Sequence, residues 1–297
     1  MKRNWTSQLH YNLMVFPGLI LVLLFSVWPM FGIVLAFKHY IPTKGFFGSP
    51  WVGLENYDVL FKSPIGTQLF VNTISIALLK LVFGFIVPIV FALLLNEVRI
   101  RWYKRSIQTI VYLPHFLSWV LIAGILRDMF ALDGIFNRMV TSLGMEPIMF
   151  LGDNFWFRTI LVSSDIWKEF GFGAIIYLAA LTAINPSLYE AADIDGATRM
   201  QKLRHITLPG ITTTVVLVAT LSLQGVLSAN FDQIFNLYNP LVYDSADVID
   251  TYVFRAGLRE GKFEVATAIG LMKSIISLVL IVTTYKLASK FANYRVF

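Results

Sequence analysis

The sequence contains no cysteine, which excludes disulfides and thiolate metal sites and leaves the redox compartment unmarked. Charge is scarce as well: 14% of the 297 residues are Asp, Glu, Lys or Arg, against about 25% in soluble domains. The four histidines are scattered, with no pair at metal-ligand spacing, so no metal site is expected. Neither H-E-x-x-H nor G-x-S-x-G occurs, and no other acid–base set for an intramembrane enzyme is recognisable. The stretch nearest to a nucleotide-binding loop, GLREGKF from Gly257 to Phe263, is too short and lacks the Ser or Thr that holds magnesium. The chain is therefore not expected to be an enzyme or to bind ATP or another cofactor by itself.

What the chain has in abundance is apolar sequence, 57% of its residues. Six runs are long enough to cross a bilayer as helices, at about 13–37, 69–95, 106–130, 156–184, 208–229 and 265–287. The predicted fold class is an all-α integral membrane protein of six transmembrane helices. The first run carries no charge over 25 residues. It exceeds the apolar core of a secretory signal, and no small-x-small cleavage site follows, so it reads as a retained helix. Pro17 and Pro29 are expected to bend it, Pro88 to bend the second run, and Pro114 sits near the inner end of the third. Val52 to Phe61 places Leu54, Tyr57, Leu60 and Phe61 at helical spacing, predicting a short amphipathic helix on the outer surface. Trp5, Trp51 and Trp102 are expected at membrane interfaces.

Basic residues set the orientation. Residues 1–12, the loop after the second run, residues 185–207 and the chain from Lys286 onward hold twelve, against seven in the longer connections of the other side. The bias places both termini (1–12 and the tail 288–297) and the loop 185–207 in the cytoplasm. The net charge of +6 follows from the same bias and does not indicate nucleic acid.

Ionisable residues inside a span are costly and mark function or pairing. The fourth run brings together Asp165, Lys168 and Glu169, and at 100° per residue these share an arc with Phe172. That face reads either as the lining of a hydrophilic path, with Phe172 or Trp167 stacking on a sugar ring, or as a structural ion pair. Asp165 and Lys168 at i,i+3 are spaced to neutralise each other. On the fifth run Ser222, Gly225, Val226 and Ala229 form a small-residue stripe, read as close helix packing or as a second wall of the same path, with Gln224 and Asn230 as hydrogen-bonding neighbours. Lys80 and Lys273 are single charges read as snorkelling or paired.

The most specific stretch is the polar loop at 189–210, YEAADIDGATRMQKLRHITLPG. Ser187 with Glu190 has capping-box spacing. Gly196 suits a sharp turn, Ala197 to Ile206 suits a second short helix, and Pro209 suits the first turn of the next span. Glu190, Ala191, Ala192, Gly196, Ile206, Leu208 and Pro209 fill every fixed position of E-A-A-x3-G-x9-I-x-L-P. This resembles the signature of the membrane subunits of bacterial ATP-binding-cassette importers. Two further stretches, VWPMFGIVLAFKHY in the first run and VGLENYDVLF after it, resemble sugar-import permeases. Asn230 to Leu258, with its Y-N-P segment before V-I-D-T-Y-V-F-R-A-G-L, resembles the outer loop of permeases for oligomeric sugars. By composition alone that long aromatic-rich connection suits either a meeting point for an extracellular binding protein or a cover for the bundle.

The resemblance implies a type I importer permease with a cytoplasmic EAA coupling helix, in which Glu190, Ala191, Ala192, Asp195, Gly196, Ile206, Leu208 and Pro209 engage an ATPase. It places Asp165, Lys168, Glu169 and Phe172, with Trp167, on the substrate path, and faces Ser222, Gln224, Gly225, Ala229 and Asn230 toward the same cavity. The implied partners are a second, non-identical permease, two ATPase subunits carrying ATP and Mg, an extracellular solute-binding protein, a sugar and membrane lipid; a homodimer stays open. The implied place is the bacterial cytoplasmic (inner) membrane. Other readings are a permease for a glycerol phosphate ester, for which Lys168 would be the natural partner, and a stand-alone secondary carrier. The lack of internal repeats speaks against the carrier.

Overall fold

A chain this apolar satisfies its backbone polar groups most simply as helix, and among the described residues the regular secondary structure is helical apart from one isolated antiparallel bridge between Lys38 and Trp51. The computed structural model describes residues 5–223 and 226–292. The main elements are α1 (Trp5–Val22), α2 (Pro64–Asn96), α3 (Arg101–Tyr112), α4 (Trp119–Met129), α5 (Asn154–Thr182) and α6 (Pro186–Ile194). They are followed by α7 (Arg199–Lys202 continuing through Leu203–Thr207 into Leu208–Leu223), α8 (Phe231–Leu237) and α9 (Phe263–Ala292). Among the described residues four helices are long and apolar enough to cross a membrane, or up to six if each of two bent pairs is one span.

The bends have identifiable causes. The third apolar run is not the continuous helix expected: Arg101–Phe116 and Trp119–Met129 meet at 101°. Pro114 sits in the 3-10 turn Leu113–Phe116, Leu117 and Ser118 are extended, and the Ser118 hydroxyl caps α4 by accepting from Leu121 N at 3.4 Å. Proline acts differently at Pro29 and Pro209. Each follows a five-residue π turn, Leu23–Val27 and Leu203–Thr207, that ends two residues before it. Proline's ring displaces the carbonyl four residues back, and the chain answers with i→i−5 bonds from Trp28 N to Leu23 O and from Leu208 N to Leu203 O. Pro209 therefore lies inside a helix that began at Arg199 and does not open a new one. The described part of that helix ends at Leu223. Gln224 and Gly225 lie outside the described residues, and Ala229 and Asn230 have φ of 40° and 62°. The small-residue stripe thus does not run along one helix.

The chain divides into two compact units, residues 1–66 with 252–272, and residues 67–251 with 273–297. In the first unit Asn56 is buried and its amide donates to Ala36 O at 3.0 Å and Lys38 O at 2.9 Å. Lys38 is buried too, donating to Phe46 O and Phe47 O beneath the Trp51 ring. The segment expected as an amphipathic helix buries Tyr57 and leaves Leu54 and Phe61 exposed. Trp51 and Trp102 are exposed.

In the second unit one core joins Ile76 of α2 and Phe157 and Leu161 of α5 to Ile234, Leu237, Val242 and Val248. Much of 231–251 is therefore packed into this core, while Asp232, Leu241 and Asp244 stay exposed. Several of its polar side chains are spent internally: Gln233 donates to Leu161 O and Ser164 Oγ, Asn239 donates to Leu151 O, and Asp247 accepts from Thr251 Oγ1. Asn72 donates to Asp244 O and Asp247 O, and Thr73 accepts from Ile249 N. The other core packs Ala92 and Leu95 of α2 against Ala174, Tyr177 and Leu178 of α5 and Ile211 of α7.

Where α3 crosses α5, a Cβ on Gly171 would stand 2.4 Å from Val111 O, so contact here requires glycine. Gly171→Ala is expected to cost about 1–3 kcal/mol by overpacking. Gly173→Ala, whose Cβ meets only Pro88 Cγ at 3.5 Å, is expected to be neutral or stabilising by up to about 1 kcal/mol. Unfolding midpoints of the detergent-purified variants check both.

Candidate functional site

Within the second unit a cavity of about 360 Å³ is lined by Lys80 of α2, Asp165 and Glu169 of α5, Ser222 of α7, and Ala229 and Asn230 beyond it. Its floor is an ionic network. The Lys80 ammonium donates to Asp165 Oδ1 at 3.3 Å, to Ala229 O at 3.0 Å and to Gln233 Oε1. Those acceptors match the three donors an ammonium carries. Asn230 Nδ2 donates to the same Asp165 oxygen at 2.9 Å. Gln233, fully buried on α8, donates its amide to Leu161 O and Ser164 Oγ. A charge in such surroundings persists only when paired and hydrogen-bonded, and here a single ammonium ties α2 and α5 to the left-handed turn at Ala229 and Asn230. Two adjacent non-glycine residues at positive φ cost about 1–3 kcal/mol each, and the Lys80 and Asn230 bonds hold them there.

Glu169 belongs to a second cluster. Its carboxylate takes Lys168 Nζ at 3.1 Å on one oxygen and His115 Nδ1 at 2.7 Å on the other. Lys168 is buried, donates also to His115 O at 2.7 Å, and lies over the Trp119 ring. The break between α3 and α4 frees the His115 carbonyl, and Lys168 satisfies it. The His115 ring stacks on Phe172 with centroids 4.0 Å apart.

Of the residues expected on a path, Asp165, Glu169, Ser222, Ala229 and Asn230 share the cavity, while Lys168 and Phe172 lie behind Glu169. Gln224 and Gly225 are outside the described residues. Trp167 lines a separate apolar cavity of about 310 Å³ with Ile122, Met129 and Phe136. The expected Asp165–Lys168 pair does not form: Asp165 turns to Lys80, and Lys168 to the broken span. Lys273 is paired, donating to Asp250 at 2.5 Å. Sequence reasoning misses Gln233, His115 and Arg158, the last donating to Asn72 Oδ1 and Ser245 O. Lys80 carries a signal, as the one charge within its apolar run.

The EAA stretch forms an exposed helix, α6, bent 66° from α5. Its cap is Asn185, whose side chain accepts from Ser187 N at 3.1 Å, so Ser187 is not the cap. Gly196, at φ 74°, closes it. Gly196 N donates to Asp193 O and Ala197 N to Ala192 O, the paired bonds of a Schellman ending. The following capping box is Thr198 with Gln201. Tyr189 bonds Thr207 at 2.9 Å, and Asp193 pairs with Lys202, bracing α6 against α7. Glu190 and Asp195 are exposed, and Ile194 is 87% exposed.

Residues 84–292 match the family described as binding-protein-dependent transport system inner membrane component. The polygalacturonan/rhamnogalacturonan transport system permease protein YteP of Bacillus subtilis strain 168 is 42% identical over 98% of this chain and 91% of its own length. A chain of a bacterial ABC transporter involved in the import of the acidic polysaccharide alginate superposes with a TM-score of 0.88 at 37% identity, covering 97% of this chain and 99% of that one. A second structure of a bacterial alginate ABC transporter, in complex with an alginate pentasaccharide-bound periplasmic protein, gives 0.88 at 38% identity over 97% and 98%.

Lys80→Met is expected to cost about 2–3 kcal/mol, below the range for a fully buried pair because Asp165 keeps some exposure to the cavity. Lys80→Met with Asp165→Leu is expected to recover most of that loss. Thermal unfolding of the single and double variants measures it.

Proposed function

The chain belongs to the family of binding-protein-dependent transport system inner membrane components, and on that premise we propose that it forms half of a path that carries a polysaccharide fragment into the cell and is driven through α6. It is a multi-pass, all-helical ABC import permease with the type I permease fold. The proposal adds six spans, with each bent pair counted as one, both termini in the cytoplasm, and α6 docked on an ATPase. Two such ATPases hold the ATP and Mg, a second and non-identical permease supplies the other wall, and an extracellular binding protein delivers the glycan. The named cargoes of the relatives, polygalacturonan, rhamnogalacturonan and alginate, set the proposed class of substrate.

The observation that carries this reading is the continuity of α5 and α6. The helix holding Asp165 and Glu169 ends at Thr182, and after a short turn and cap the exposed α6 begins at Pro186. Force applied to α6 is delivered to the wall of the cavity, and ATP-driven closure of the partner ATPases biases the chain between inward- and outward-facing states. Binding of a glycerol phosphate ester loses its principal residue, because Lys168 is already spent on His115 O and Glu169.

Affinity purification of the complex through this chain, from its native membrane, tests the docking role. Gly196 has open space around its Cβ position but a positive φ, so strain and not clash decides what is tolerated there. Gly196→Asn, which accepts the left-handed region, is expected to retain the ATPase. Gly196→Val is expected to lose it together with ATP-driven uptake. Equal recovery of the ATPase with both variants would contradict the docking role.

A further inference from the structure

We infer that the hydroxyl edge of the glycan, and not its charged edge, meets this chain's wall of the path, and that Glu169 is the side chain receiving it. The inference rests on the importer reading above and follows from which donors and acceptors in the cavity are already spent. Lys80 is the one cation lining the cavity among the described residues, and its three N–H groups go to Asp165, Ala229 O and Gln233. Lys168 is buried behind the wall with His115 O, Glu169 and the face of Trp119. Among the described residues of this wall, no ammonium is left to meet a uronate carboxylate.

Acceptors, by contrast, are in surplus. A carboxylate offers about four lone-pair sites. Both bonds to Asp165 fall on Oδ1, and each Glu169 oxygen takes one. The Glu169 side chain is 42% exposed and faces the cavity. Lys168 and His115 fix its carboxylate from opposite oxygens, so little rotamer freedom is lost when a ligand binds. Sugar hydroxyls are the donors such a surface matches, and hydrogen bonds to an ionised acceptor are the strong ones. A sugar carboxylate pressed against the same wall would find two like charges and no free cation. The carboxylates of an acidic glycan therefore turn toward the second permease.

The complex purified through this chain, reconstituted in liposomes with its binding protein, provides the test. The probes are oligosaccharides from pectin and alginate digests, as free acids and after methyl esterification of their carboxylates. The half-saturating concentration for ATP-driven uptake is read as the ratio of Glu169→Gln to wild type for each form. This ratio cancels differences in delivery and does not depend on how much of the variant folds. We expect the ratio to rise about tenfold for both forms alike. A fall for the free acids alone would place carboxylates against Glu169 and overturn the inference. An unchanged ratio would make Glu169 a purely structural group and overturn it as well. If the wild-type complex drives uptake of neither form, the glycan-import reading itself fails and the inference falls with it.

Discussion

One buried ammonium organises the middle of this protein. The Lys80 side chain is 9% exposed. Its three bonds reach across 85 residues to Asp165, to Ala229 O and to Gln233. Removing the ammonium would leave Asp165 without its counter-charge, at a cost of about 2–3 kcal/mol. The helices α2 and α5 and the strained turn after α7 are thereby held in one arrangement, and the polar cavity is what remains between them. Asp165 is at once the counter-charge of the fold and part of the lining. The fold and the cavity cannot be altered separately at this position.

The same constraint accounts for the breaks. A helix bent by 101° in an apolar environment exposes carbonyls that no water will meet. The protein meets this with side chains: Lys168 on His115 O, Ser118 at the cap of α4. At Pro29 and Pro209 it uses π turns, which move the hydrogen bonds back by one residue and keep the helix going. The ion pairs in these spans are therefore structural necessities first. On the proposed path, what remains for a ligand is a carboxylate that keeps lone pairs open to the cavity after its structural bonds are made, as Glu169 does.

Much of this is legible in the sequence, and the limits have physical causes. The long apolar helices, the polar face of α5 and the sharp turn at Gly196 are local features, visible as periodicity and residue type. The spacing from Glu190 to Pro209 is enough by itself to point to the family. Pairings distant in sequence are not legible. Nothing local tells Asp165 to prefer Lys80 over Lys168 three residues away, and i,i+3 spacing points to the wrong partner. Residues 231–251 read only as a long aromatic-rich outer connection, and nothing local shows that Gln233 is spent on buried bonds to Leu161 O and Ser164 Oγ. An aromatic ring suited to stacking on a sugar puts Trp167 on the expected path, yet it lines a separate apolar cavity.

The central claim is that the cavity beside Lys80 and Asp165 is part of a path opened alternately to the two sides. The absence of cysteine makes a direct measurement simple, since a thiol placed in this chain is its only one. A Ser222→Cys chain in the assembled complex would be treated with a membrane-impermeant thiol reagent from either side, with and without trapped ATP. Labelling is predicted from the cytoplasmic side alone without nucleotide and from the outer side alone with it, while a Trp167→Cys chain stays unlabelled in both. Labelling of Ser222→Cys that is absent, or the same from one side in both states, would contradict the account.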